Sequence, residues 1–235
     1  MTSLEGRTAL VTGASRGLGA AIARDLDALG VNLALASRSG DDLGIEGALA
    51  QPCDVRDAAA LEAITAAAVE RFGGLDIVVA NAGVGGYGDF IEGDPAFDEE
   101  IIDVNVKGLL NTVRATLPAL RESDSADLLN VSSIAGQRAP EGEAVYAAAK
   151  HAQVGFMRSL DHELWQLGVR CSIVCPGGIA TDFAMGTGRT PDDPDLENFM
   201  SAEEVAEAVV YALQRPRTQR VLEMNVLPMA EDSMG

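Results

Sequence analysis

Short runs of β-branched and aliphatic residues alternate along this chain with longer stretches whose apolar positions recur every three or four residues. That alternation predicts a parallel sheet covered by helices on both faces. Strands are expected at 7–12 (RTALVT), 31–36, 47–53, 75–80, 127–132, 169–175 and 220–227. Helices are expected at 17–29, stopped by Gly30, at 57–72, stopped by Gly73 and Gly74, and at about 97–121, 144–167 and 201–214. Between the second and third strands only SRSGDDLGIE remains. Ten residues are at the lower limit for a crossover that carries a helix, so a single turn or a loop is expected there, with that part of the sheet thinly covered. No repeat or low-complexity linker marks a boundary, and 1–235 is expected to be one domain.

Composition narrows the function classes. Hydrophobic residues make up 47% of the chain and charged residues 23%, which excludes a disordered chain. A net charge of -19 repels phosphate backbones and anionic lipids, so neither nucleic-acid nor membrane binding is expected. No apolar run reaches membrane-spanning length, and the start, MTSLEGRTALVTG, lacks the basic and apolar regions of a signal peptide. With three cysteines, an odd number, the expectation is a cytoplasmic location. Cys171 and Cys175 would lie on one strand face about 13 Å apart at ~3.3 Å per residue, too far for a disulfide. No zinc spacing is present, and no metal is expected.

The first strand runs into TGASRGLG, with glycines at 13, 17 and 19, which opens the first helix. Glycines there permit strained dihedrals and let a phosphate approach the backbone and the positive helix N-terminus. Dinucleotide binding and a plain structural turn both remain open from this loop alone. The chain holds only two lysines, and one of them, Lys150, stands four residues after Tyr146 with three alanines between. Taken alone, such a pair is ordinary helix anatomy.

Six landmarks in order change that reading: Thr12 to Gly19, Asn81-Ala82-Gly83, Asn105, Ser133, Tyr146 with Lys150, and Pro176-Gly177. With them, nearly the whole chain resembles the short-chain dehydrogenase/reductase family. The resemblance implies a Rossmann-like, doubly wound, parallel seven-stranded sheet in the order 3-2-1-4-5-6-7. It also implies that Tyr146 is the general acid in reduction and the base in oxidation, that Lys150 holds the nicotinamide ribose, and that Ser133 binds the substrate carbonyl. Asn105 would hold a water linking Lys150 to solvent. Physically, residues 146 and 150 share a helix face with β-carbons about 5–6 Å apart, so an ammonium there is expected to lower a phenol that otherwise titrates near ~10. Ser132 is the alternative to Ser133, but strand alternation sends the two to opposite sides and family spacing favours Ser133.

The same resemblance assigns cofactor contacts to Gly13, Ser15, Arg16, Gly17, Leu18, Gly19, Ser37, Arg38, Asp54, Val55, Asn81, Ala82, Gly83, Pro176, Gly177, Ile179 and Thr181, together with Tyr146 and Lys150. An NAD-selective site usually ends its second strand in an acid. Here Ser37 and Arg38 follow that strand and Arg16 lies in the glycine loop, which suits a 2'-phosphate and makes NADP(H) the expected cofactor. Asp41 and Asp42 temper this, since either could reach the ribose. Asp54 resembles an adenine contact, although Asp57 is better placed to cap the following helix. Lys107 reads as a solvated helix residue.

A small-molecule substrate would lie among 84–90, 134–143 and a mobile lid at about 178–200, with Phe183, Met185, Gln137, Arg138 and Glu143 within reach. The expected activity is reversible NADPH-dependent reduction of a ketone or aldehyde. A 3-oxoacyl thioester reductase, a polyol dehydrogenase and a non-catalytic NADP-sensing protein are the alternatives. The family implies a homotetramer or homodimer, built here through 144–167 and the last strand. The tail AEDSMG reads as disordered.

Overall fold

Residues 1–232 are described by the computed structural model. Among them, seven strands form one parallel sheet in the order β3-β2-β1-β4-β5-β6-β7. The strands are β1 Thr8–Thr12, β2 Asn32–Ser37, β3 Leu49–Pro52, β4 Ile77–Ala80, β5 Asp127–Val131, β6 Arg170–Pro176 and β7 Glu223–Val226. Strands β1, β4, β5 and β6 are buried along their whole length, because a parallel sheet covered on both faces has no wet side to alternate with; even the polar Asp127, Asn130, Arg170 and Ser172 of β5 and β6 are buried. Edge strands β3 and β7 are only partly buried.

Helices α1 Gly17–Ala28 and α6 Ala202–Leu213 cover one face, where Ile22 and Leu26 join Val209 and Leu213 in one apolar cluster. On the other face lie α2 Ala58–Phe72, α4 Gly108–Leu120 and α5 Ala144–Leu164, which bring Leu61, Ile64, Val113, Val154 and Met157 together. Each such fully buried aliphatic side chain contributes about 1.5–3 kcal/mol through the water it escapes. Capping fixes the helix ends: Asp57 accepts from Ala59 and Ala60 N–H at the start of α2, and Gly73 ends it at φ +87°.

Between β2 and β3 no helix forms. The link is a series of turns in which Gly40, Gly44 and Gly47 all take positive φ, while Leu43, Ile45 and Ala48 pack inward over the sheet. The single helix expected at about 97–121 is instead three segments: α3 Pro95–Ile102, a π-helical turn Asp103–Lys107, and α4. Wider π turns gather at functional sites, and this one carries Asn105. The last strand is shorter than the expected 220–227, and Arg220, before it, pairs with Asp161. The described part of the tail is tied down: Glu231 pairs with Arg138 and accepts from Gly178 N–H at 2.8 Å. The rest of that tail, 233–235, lies outside the described residues.

Candidate active site

Strand order reverses between β1 and β4, so their outgoing loops part and leave a crevice at the carboxyl edge of the sheet. A cavity of about 690 Å³ opens there. Of the residues assigned above to cofactor or catalysis, all line this cavity except Asn105, which lies behind the wall. The floor is held by Thr12, whose hydroxyl accepts from the N–H groups of Asn81 and Ala82 at 3.1 Å, while Asn81 Nδ2 returns a bond to Thr12 O at 3.0 Å. Gly13, at φ +67°, would bring any β-carbon to 2.8 Å from Ala82 Cα, so this crossing of β1 and β4 requires glycine. Helix α1 then starts at Gly17 with Arg16 as its cap, no side chain bonded to its first N–H groups and no acid in its first turn. Such an end attracts anions.

Charges at the end of the cavity beside β2 and β3 are arranged unevenly. Arg16 and Arg38 are exposed, and no carboxylate lies within 4 Å of either among the described residues. Asp54 is taken by Arg56, which binds it in a bidentate manner at 2.6–3.1 Å and holds its carboxyl below the usual range. Ser37 Oγ accepts from Gly40 N–H at 3.1 Å and sits 3.2 Å from Ser39 Oγ. Asp41 and Asp42 are spent on their own turn, accepting from Leu43 and Gly44 N–H. Lys107 is solvent-facing and paired with Asp103 one turn away.

On the opposite side, Ser133 precedes a 3₁₀ turn, Ile134–Gly136, with its Oγ accepting from Ala135 N–H at 3.1 Å, and both Ser133 and Tyr146 of α5 line the cavity. Ser132 turns the other way, donating to Lys150 O at 3.3 Å. Tyr146 stacks obliquely on Phe183, with ring centroids 5.7 Å apart, and the Lys150 ammonium lies 5.5 Å from its ring. Burial pushes the phenol above its ordinary value, with the Ser133 hydroxyl opposing. This reverses the expectation that Lys150 would lower it. Desolvation disfavours a phenolate more than any neighbour favours it, and the same burial pulls Lys150 itself down to about 8.

Asn105 Nδ2 donates to Val84 O at 2.7 Å and Ile101 O at 2.8 Å, leaving Oδ1 buried and without a partner. Gly83 passes so close that a β-carbon would stand 2.7 Å from that oxygen. Further along the cavity, Glu143 is raised to about 6, chiefly by burial, and Arg138 is paired with Glu231. Met185 and Gln137 are not among the cavity lining; Gln137 bonds Arg158 instead.

Two residues here were not anticipated. Arg189, 5% exposed, donates to Ile179 O, Phe183 O and Tyr87 Oη between the rings of Tyr87 and Phe199. Gln153, 2% exposed, joins Lys150 to Asn105. Its signal was present: Tyr146, Ala149, Lys150, Gln153, Val154 and Met157 follow the three-and-four spacing of one buried helix stripe.

Comparison with known proteins agrees with this geometry. Residues 7–192 match the family model described as short chain dehydrogenase. Oxidoreductase UcpA of Salmonella typhimurium is 39% identical over 206 residues, 83% of this chain and 78% of its own. The alcohol dehydrogenase of the archaeon Thermococcus sibiricus, solved with 5-hydroxy-NADP, superposes with a TM-score of 0.86 at 32% identity, covering 97% of this chain and 98% of its own. A short chain dehydrogenase of Mycobacterium paratuberculosis bound to NAD gives 0.83 at 29% identity, covering 95% and 97%. The chain belongs to the short-chain dehydrogenase family of oxidoreductases.

Proposed function

We propose that the protein is an NADP(H)-dependent carbonyl reductase, reversible to an alcohol dehydrogenase, with Tyr146 as general acid and base. The observation that carries this reading is that Ser133, Tyr146 and Lys150 share the wall of the cavity that the glycine loop opens. The residues present fit a phosphorylated dinucleotide. An uncapped helix N-terminus faces the crevice, Arg16 and Arg38 stand without carboxylates at its adenosine end, and Asn105 Oδ1 is an orphaned acceptor behind Gly83. Arg16 and Arg38 would hold the 2'-phosphate, the α1 N-terminus and Thr181 the pyrophosphate, and Lys150 the nicotinamide ribose.

Bound there, the reduced nicotinamide would supply a hydride to the carbonyl carbon. Ser133 would hydrogen-bond the carbonyl oxygen, and Tyr146 would give it the proton. Burial keeps the phenol protonated at neutral pH, the state a donor needs. The proposed lid, 178–200, brings Phe183, Arg189 and Phe199 to the cavity wall and would exclude water from the reacting oxygen. Absorbance at 340 nm with NADPH and a panel of ketones and aldehydes tests the reading. Tyr146→Phe should retain NADPH binding and lose about 10²–10⁴ in kcat. Equal rates for wild type and variant on every accepted carbonyl would remove Tyr146 from the chemistry.

A further inference from the structure

Lys150 is a buried cation, 4% exposed, with no carboxylate within 4 Å among the described residues. Its ammonium has two polar neighbours: Gln153 Oε1 at 3.2 Å and Val131 O at 3.5 Å. Gln153 lies one turn further along α5, and its Nε2 donates to Asn105 O, in the π turn, at 2.7 Å. The orientation of this amide is settled by chemistry. A backbone carbonyl only accepts and an ammonium only donates, so the Nε2 end must face Asn105 and the Oε1 end must face Lys150.

We infer that Gln153 is the positioning residue of this site: its amide ties the Lys150 ammonium to the Asn105 carbonyl and keeps that ammonium charged in a dry wall. The role rests on the catalytic reading of Lys150 given above. An uncompensated buried ammonium loses its proton readily, and a fixed amide dipole counters that loss without placing a carboxylate beside the cofactor site. The tether to the π turn also holds the lysine head against the gap at Gly83, where Nζ would stand 3.6 Å from an added β-carbon. Around the ammonium, the titratable groups are Tyr146 on the same helix and Cys175 on β6, whose thiol is raised by burial. Asn105, Gly83, Val131, Ser132 and Gly136, from the other elements packed here, do not titrate.

Having only two lysines makes the test direct, because Lys107 is exposed and serves as the internal control. Full-length protein labelled with ¹³Cε-lysine gives two titration curves by NMR. Gln153→Met keeps the volume and removes both bonds; it should move the Lys150 midpoint down by about one pH unit. Gln153→Glu keeps the acceptor and adds negative charge, and should move it up by at least about as much, with Lys107 unmoved in both. In turnover with NADPH, Gln153→Met should lower kcat about tenfold and displace the pH profile in the direction of the lysine curve, with KM for NADPH changed less than about threefold. A residue that only fills space would lower Tm without moving Lys150 in opposite directions for Met and Glu.

A Lys150 midpoint unchanged in either folded variant overturns the inference. Should both variants fail to fold, the wild type decides it: the Gln153 Nε2 protons should exchange with solvent about 100-fold more slowly than those of exposed Gln219, and equal exchange overturns it. These lysine and amide readouts need no turnover. An enzyme inactive on every carbonyl would therefore refute the proposed function alone, and an active one with an indifferent Lys150 would refute this inference alone.

Discussion

The two edges of the sheet treat charge in opposite ways. At the amino edge, Asp127 opens β5 with its side chain 3% exposed and is surrounded by Arg170 at 2.5 Å, Arg7 at 2.9 Å and Arg217 at 3.2 Å. Those arginines are spent further on carbonyls: Arg170 on Leu213 O and Arg215 O, Arg217 on Gly168 O, and Arg7 on Asp76 O. At the carboxyl edge, Lys150 and Arg189 are buried and Arg16 and Arg38 exposed, all without a carboxylate within 4 Å among the described residues. One edge closes its charges into a clamp across β1, β5 and β6; the other leaves these four cations lining a cavity, beside the pairs Arg56–Asp54 and Arg138–Glu231. The difference teaches that the same fold gathers paired, buried charge at one end of the strand axis and leaves cations without carboxylate partners at the other.

Removing the centre of the clamp should have the largest effect. Asp127→Ala strands buried Arg170 and should cost roughly 3–5 kcal/mol in thermal or urea unfolding, with NADPH affinity of the folded fraction unchanged. Arg38→Ala reverses that pattern. It should leave Tm unmoved and weaken NADPH binding by about 1.5–3 kcal/mol, roughly 10- to 100-fold, while NADH binding stays the same. A wild type that prefers NADH would break the comparison at this edge.

Lys150 supplies a pH test of what an unpaired charge does to the fold. Its proton is held less tightly in the folded chain, which titrates at about 8, than in the unfolded chain near ~10.4. Between about pH 8 and 10 the unfolded chain therefore binds more protons, and wild-type stability should rise with pH relative to Lys150→Met, by at most about 1.4 kcal/mol per pH unit. A flat difference across that window would mean that Lys150 is not desolvated. The smallest effect belongs to Arg56, whose pair with Asp54 is exposed at 43% and 31%. Arg56→Met should change stability by about 0–1 kcal/mol, a sharp contrast with Asp127 although both are Arg–Asp pairs.

Much of this architecture is legible in the amino-acid sequence. Short runs rich in β-branched and apolar residues marked β1, β4, β5 and β6, and ten residues between β2 and β3 pointed to a turn or loop, as the turns at Gly40, Gly44 and Gly47 bear out. The π turn was not legible, because Asp103, Val104, Asn105, Val106 and Lys107 have an ordinary helical pattern and only packing against α5 shows the widening. Gln153 was missed because a glutamine one turn after a lysine looks like surface until the whole stripe from Tyr146 to Met157 is traced. The direction of the Tyr146 shift was misjudged because spacing gives the distance to Lys150 but not the depth of burial. Tethering of the tail by Glu231 to Arg138 is a contact between residues 93 apart, beyond any local signal.

A crystal structure of the NADPH complex is the most direct test of the carboxyl-edge account. The 2'-phosphate should contact Arg16 and Arg38, and the transferable hydrogen should face the same open space as the Tyr146 and Ser133 hydroxyls. A dinucleotide bound elsewhere, or a nicotinamide turned away from Tyr146 behind another wall, would contradict it.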